Sequence, residues 1–200
     1  MIVLLRHCRP AGGDGLCVGR TPLQLSADGE LQARALAEEL GAVPFARLCS
    51  SPAIRARHTL GPLAERLGMP VEILPELDEI DMGAWDGLAF ADIRERFPEE
   101  YAARGRRFGC FRAPGGENFE DVADRVMVAL EQLAEGKLPV LVATHAGVIR
   151  TALCRVTGHP LDDLFRFKPG YARCTVLRRE GNGLALEADD LDAGSIRALF

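Results

Sequence analysis

Positive charge is in short supply in this sequence: 24 Lys and Arg against 29 Asp and Glu leave a net charge of -5 over 200 residues. Overall electrostatics therefore give no support to nucleic-acid binding. Any anion site must come from locally concentrated cations. Paired cysteines are lacking as well. Cys8, Cys17, Cys49, Cys110, Cys154 and Cys174 are scattered, without a C-x-x-C pair, so zinc-ligand spacing is absent. The chain is too long and too aliphatic to need disulfide staples, and free thiols in a reducing compartment are expected. Long apolar runs are missing too. The first covers only residues 2–5 and stops at Arg6. That is far from membrane-spanning length, and a secretory leader would place its charge before a longer run. A cytoplasmic protein without membrane contact is expected. No repeat, low-complexity stretch or linker is visible, and helical patterning resumes directly after Gly115-Gly116. One domain, residues 1–200, is the simplest account.

What is present is a globular pattern, 48% hydrophobic and 26% charged, long enough for a substantial core. Short apolar runs at 2–5 and 140–144 read as buried strands, 45–49 and 71–74 as a second and a third strand, with two later strands at 175–178 and 184–189. Between them lie amphipathic stretches. Ser26 is expected to cap a helix running to Leu40, with Asp28 and Glu30 in its first turn and Gly41 ending it. Ser51 is expected to cap a second helix with Pro52 in its first turn and Leu60, Leu63, Ala64 and Leu67 on its apolar stripe. Further helices are expected at 90–97, 118–134 and from His145 to about Val156, and residues 81–87 read as a turn-rich loop. The alternation predicts a three-layer α/β/α sandwich with a mostly parallel sheet.

In such a sheet, ligands bind beyond the carboxyl ends of the strands. Arg6-His7 ends the first run, and His145 ends the 140–144 run just before a helix whose N–H groups favour an anion. Arg55 lies one turn inside the helix that follows Ser51-Pro52. Taken singly, each has an ordinary reading: a solvated Arg-His pair, a capping histidine, an exposed arginine. Only their joint placement points to one anion site.

The same residues carry a resemblance. Leu4-Leu5-Arg6-His7 looks like the opening of the histidine phosphatase superfamily, the phosphoglycerate mutase-like proteins. Gly19-Arg20-Thr21 with Leu25-Ser26, Gly29 and Gln32-Ala33 is similar to the next block of that family. Ser50-Ser51-Pro52 with Arg55-Ala56 and Thr59 resembles its arginine motif. Residues 77–87, Pro114-Gly115-Gly116-Glu117 and Thr144-His145-Ala146-Gly147-Val148-Ile149-Arg150 resemble its acidic segment and two late motifs. The likeness spans nearly the whole chain, and the order of its blocks makes it specific.

The resemblance implies metal-independent phosphomonoester hydrolysis, with His7 as nucleophile through a phosphohistidine and no cofactor. It places Arg6, Arg55 and His145 on the phosphoryl oxygens, where transition-state charge spreads, and substrate contacts also on Gly19, Arg20 and Ala146. It assigns the general acid to Glu79. Glu76, Asp78 and Asp81 lie beside it, and alignment to the motif, not composition, chooses among them. Two departures stand out. Cys8 replaces the usual glycine after the histidine, and Arg9-Pro10 replaces the common acidic and hydroxyl residues. Cys8 reads as a small residue in a turn or as an oxidation-sensitive thiol. Residues 15–21 and Arg9-Pro10 are similar to the α-ribazole phosphatase branch, of the cobalamin pathway. Specificity is expected in residues 12–20 and 104–112, without a readable code. The rival readings are a phosphoglycerate mutase and a non-catalytic phospho-ligand binding protein. The expected partner is a small phosphomonoester; oligomeric state is left open, a homodimer included.

Overall fold

The computed structural model describes residues 1–181 and 183–200. Its centre is a six-stranded sheet in the order β3-β2-β4-β1-β5-β6. The strands are β1 (Ile2–Arg6), β2 (Arg47–Ser50), β3 (Val71–Ile73), β4 (Val140–Thr144), β5 (Cys174–Glu180) and β6 (Gly183–Leu191). The first four of these run parallel, while β5 pairs antiparallel with both β1 and β6. The predicted mostly parallel sandwich is the observed architecture.

The period-two alternation of β1 sorts the two helical layers. Val3 and Leu5 point to one face, where Ala33, Leu36 and Leu40 of α1 (Ala27–Leu40) and Leu60 and Leu63 of α2 (Ile54–Leu67) cover them. The short α7 (Ala193–Arg197) adds Ile196 to that layer. Ile2 and Leu4 point the other way, against α5 (Phe119–Glu135) and α6 (Ala146–Thr157). The termini of these helices have local causes. Ser26 Oγ accepts from Gly29 N–H, and Asn118 and Asp121 form a reciprocal capping box at the start of α5. Between β3 and α5 the chain builds a separate cap. It contains α3 (Phe90–Arg96) and α4 (Pro98–Arg106) around a small core of Cys17, Trp85, Ile93 and Ala113.

Three expectations need correction. Ser51 does not cap α2. That helix starts two residues later with Ala53 as N-cap, and Pro52 lies before it. Ser51 Oγ is instead held by His145 Nε2 at 2.7 Å, a tertiary bond that local propensity does not report. The α4 helix falls outside the predicted 90–97 segment because it buries no residue and so has no apolar stripe to detect. Phe45 is buried yet stands outside the ladder, and β2 begins at Arg47. Among the described residues, no helix is long and apolar enough to cross a membrane.

One glycine tests the packing directly. Gly29 lies in the first turn of α1, and a Cβ there would collide with the backbone carbonyl of Arg9. Alanine is the better helix former by about 1 kcal/mol, but overpacking against backbone costs about 1–3 kcal/mol. Gly29→Ala should therefore lower the Tm. Gly61→Ala in α2, where a Cβ meets nothing within 4 Å, should leave the Tm unchanged or raise it.

Candidate active site

The site begins with strand register. Arg6 pairs with Thr144 across the parallel β1–β4 ladder, and the next rung is His7 N–H to Thr144 carbonyl at 2.9 Å. His7 and His145 therefore leave adjacent strands at the same height. The chain beyond His7 leads to α1 on one face, whereas the chain beyond His145 enters α6 on the other. Such divergence opens a crevice at the carboxyl edge. The two imidazole rings meet there edge to face, with centroids 5.2 Å apart.

His7 is 5% exposed. Its Nδ1 lies 2.8 Å from the Cys8 carbonyl. A carbonyl only accepts, so Nδ1 carries the proton and Nε2 keeps its lone pair. Burial, then the neighbouring His145 and Arg55, hold the imidazole well below its usual range, so it is neutral at pH 7. Cys8 is fully buried and its N–H donates to Thr59 Oγ1 at 2.9 Å. Burial raises its thiol to about 11, which disfavours the thiolate form.

Arg55 is 2% exposed, an unusual place for a guanidinium. Its Nη1 donates to Thr21 carbonyl at 2.9 Å and its Nη2 to Gly19 carbonyl at 2.7 Å. Asp86 holds that loop in turn, accepting from Gly19 N–H, Arg20 N–H and Thr21 Oγ1. Arg6 donates to Pro169 carbonyl at 2.8 Å and lies 3.7 Å over the Tyr171 ring, a cation–π contact. Its buried Nε has no partner among the described residues. Burial lowers both arginines from their usual value, yet arginine stays charged at neutral pH. A negative protein thus concentrates cations at one point.

Glu79 is 8% exposed, with Oε1 accepting from Ile80 N–H at 3.0 Å and Oε2 from Gly147 N–H at 3.1 Å. The start of α6 is therefore bonded to a carboxylate, not only aimed at the crevice. Arg125, on α5, fixes the strand of chain that bears this acid. It donates to the carbonyls of Glu76, Asp78 and Glu79 and grips both oxygens of Glu117. Glu117 in turn accepts from Asp81 N–H at 2.9 Å.

His145 is wholly buried. Arg55 Nη2 lies 3.2 Å from its Nδ1. A guanidinium can only donate, so Nδ1 accepts and the proton sits on Nε2. That nitrogen meets Ser51 Oγ at 2.7 Å and Asp78 Oδ1 at 3.4 Å. Burial lowers the imidazole from its usual value, against the opposing pull of Asp78 and Glu79.

A cavity of about 290 Å³ opens over these groups, lined by Arg6, His7, Arg55, Glu79 and Ala146. Three expected residues, Gly19, Arg20 and His145, do not line it. Gly19 gives its carbonyl to Arg55, and Arg20 turns to Asp78, Asp81 and Glu117. His145 lies beneath the surface, behind Arg55. Both segments expected to set specificity do reach the cavity, through Leu16 and Val18 and through Arg104, Phe108 and Phe111. Tyr171, Arg125, Asp86 and the Ser51–His145 bond escaped sequence reasoning. Asp78 was legible only as a rival for the acid, beside Glu76 and Asp81. Among the described residues, no group of three or more His, Cys, Asp or Glu is placed to hold a metal.

Gly147 is the sensitive point of this arrangement, because a Cβ there would strike the Glu79 carboxylate. The obstacle is a side-chain end that can move, so Gly147→Ala should change the Tm little while displacing the acid. Turnover of an alkyl phosphate should fall roughly 10²-fold or more. A full rate in this variant would show that the position of Glu79 does not matter.

Comparison with known proteins agrees with this geometry. Over 168 residues the chain is 31% identical to the adenosylcobalamin/alpha-ribazole phosphatase of Escherichia coli K12, covering 82% of this chain and 83% of that one. It is 37% identical over 163 residues to a metal-independent phosphoserine phosphatase of Arabidopsis thaliana, covering 78% and 68% of the two chains. The crystal structure of the alpha-ribazole phosphatase from Shigella flexneri superposes with a TM-score of 0.86 at 26% identity, over 94% of this chain and 95% of that one. The model of the histidine phosphatase superfamily (branch 1) matches residues 2–190. With its two histidines set in register at the mouth of the sheet, this chain belongs to that superfamily and is a phosphatase.

Proposed function

We propose that the chain hydrolyses phosphomonoesters through a phosphohistidine on Nε2 of His7. The observation that carries this reading is the tautomer: Nδ1 is tied to the Cys8 carbonyl at 2.8 Å, in a neutral ring that lines the cavity and keeps its lone pair on the other nitrogen. Nε2 attacks phosphorus in line, and the P–O bond to the leaving group breaks. Arg6 and Arg55 neutralise the equatorial oxygens, with His145 behind them. Glu79 gives a proton to the departing oxygen, then takes one from the water that attacks the phosphohistidine. Free imidazole returns with inorganic phosphate. These cations fill the place that a metal would take, so activity is expected to survive chelation.

The cavity also supports a substrate class. Beyond the phosphoryl-facing cations its wall includes Leu23, Phe90, Phe108 and Phe111, with Arg104, Arg150 and Glu117 among them, and its aromatic part suits a leaving group with a broad apolar surface. The phosphate of a nucleoside-like alcohol with an aromatic base, such as α-ribazole 5′-phosphate, fits this wall better than a small polar alcohol. The free state of all six cysteines favours a reducing, cytoplasmic setting.

Two experiments test the reading. Labelled substrate, quenched without acid, should yield a phosphoprotein stable in base and lost in acid, and His7→Ala should abolish it. Label on serine or cysteine, or undiminished turnover by His7→Ala, would sink the assignment. The acid is tested by leaving group. Glu79→Gln should slow phosphohistidine formation from an alkyl phosphate roughly 10²–10⁴-fold, but far less from p-nitrophenyl phosphate, whose leaving group needs no proton. Single-turnover measurement isolates that step. Equal slowing of both substrates would make Glu79 a support for the pocket.

A further inference from the structure

Asp78 has no part in the chemistry above, yet its carboxylate sits against the most buried titratable group of the site. Its Oδ1 is 3.4 Å from His145 Nε2 and accepts from Glu79 N–H at 2.9 Å. Its Oδ2 faces Arg20 Nε at 3.7 Å. Asp78 does not line the cavity; its carboxylate holds the buried His145 ring and the backbone of Glu79, which does line it.

The geometry poses a problem for His145. In the free protein its Nδ1 accepts from Arg55, so it has no hydrogen to give an anion. To donate there, the ring must hold a proton on each nitrogen. A wholly buried imidazolium is unfavourable unless a negative charge compensates it. The charged or titratable groups around the ring are Asp78 and Glu79 from the segment after β3, Arg55 from α2 and His7 from β1. Two of these are cationic or neutral. Glu79 directs both oxygens to backbone N–H groups. Asp78 remains, on the side of the ring away from Arg55. Burial raises its carboxyl, but the hydrogen bond to His145, Glu79 N–H and Arg20 together bring it below its usual value, so it is ionised.

We propose that Asp78 is a positioning residue, the counter-ion that lets His145 take up a second proton when a phosphoryl dianion binds. The proton comes from solvent and settles on Nδ1. Nε2 keeps its own, held between Ser51 Oγ and Asp78. Nδ1 then turns from acceptor for Arg55 into donor to a phosphoryl oxygen, and Arg55 Nη2 is released to the same anion. The proposal rests on reading this pocket as a phosphoryl site.

The test reads the ring directly. The chain has 4 histidines, few enough to assign by ¹⁵N NMR. Sulfate serves as the probe, because it is a tetrahedral dianion that does not itself titrate near neutrality. In the parent protein at pH 7, sulfate should convert His145 Nδ1 from the bare to the protonated signature. Asp78→Asn keeps the shape and the bond from Glu79 N–H but removes the charge, so Nδ1 should stay bare at the same sulfate occupancy. Losing a counter-ion lowers the pH at which the ring holds its second proton. The alkaline limb of kcat/KM should therefore move to lower pH in Asp78→Asn, with activity at pH 8 down about tenfold or more and recovered toward its acid side. Asp78→Glu should restore part of it. A merely structural role would depress the rate equally at every pH. A bare Nδ1 in the sulfate-bound parent, or an unmoved pH profile in Asp78→Asn, would overturn the proposal and leave the phosphatase reading intact. Failure of the parent to bind both sulfate and inorganic phosphate would instead remove the phosphoryl site itself.

Discussion

The parallel ladder between β1 and β4 is the constraint on which the site depends. Its last rungs set Arg6 against Thr144 and tie His7 N–H to the Thr144 carbonyl, so two histidines 138 positions apart in sequence meet at a fixed height. A one-residue slip would turn every side chain of the strand to the opposite face. Val3 and Leu5 on one side and Ile2 and Leu4 on the other are committed to different helical layers. The apolar core thereby enforces the register that the chemistry requires.

Around that pair, the protein manages a burial conflict. Guanidinium and imidazole groups lie in a place that disfavours charge, and backbone carbonyls resolve much of it. Gly19 and Thr21 accept from Arg55, and Pro169 accepts from Arg6. The acid side is built likewise, since Arg125 holds the Glu79 segment through main-chain oxygens. Such contacts specify a backbone path more than a side-chain identity. They leave the exposed Glu76 free to vary without moving the acid, provided that the path itself is kept.

The strands and most helices were legible because their signals are local. The continuous apolar runs at 2–5 and 140–144, buried along their length, and the Ser26 cap each lie within a few residues of what they determine. Arg6, His7, Arg55, Glu79 and Ala146 were readable from motif order, and the structure brings them to one cavity. Long-range polar bonds were not readable. Ser51 looked like a helix cap, but its hydroxyl is bonded to a ring 94 residues away. Arg20 looked like a ligand for the substrate, but the acids at 78, 81 and 117 hold it. Neither pairing leaves a trace in spacing or periodicity. The helix α4 went unseen for the opposite reason: with nothing buried, it lacks a pattern.

The cap beneath which substrate must sit has a core of its own, built on Trp85 and Ile93 and touching the main core through Met82. The cavity is thus assembled from two structural economies. Its reactive side is locked into the sheet, while Phe90 and Phe111 on its far side belong to the cap cluster. Mutation can reshape the far side without disturbing strand pairing, so selectivity can drift over generations while the phosphoryl chemistry stays fixed. A single scaffold of this kind can be handed from one phosphorylated metabolite to another by re-upholstering one wall.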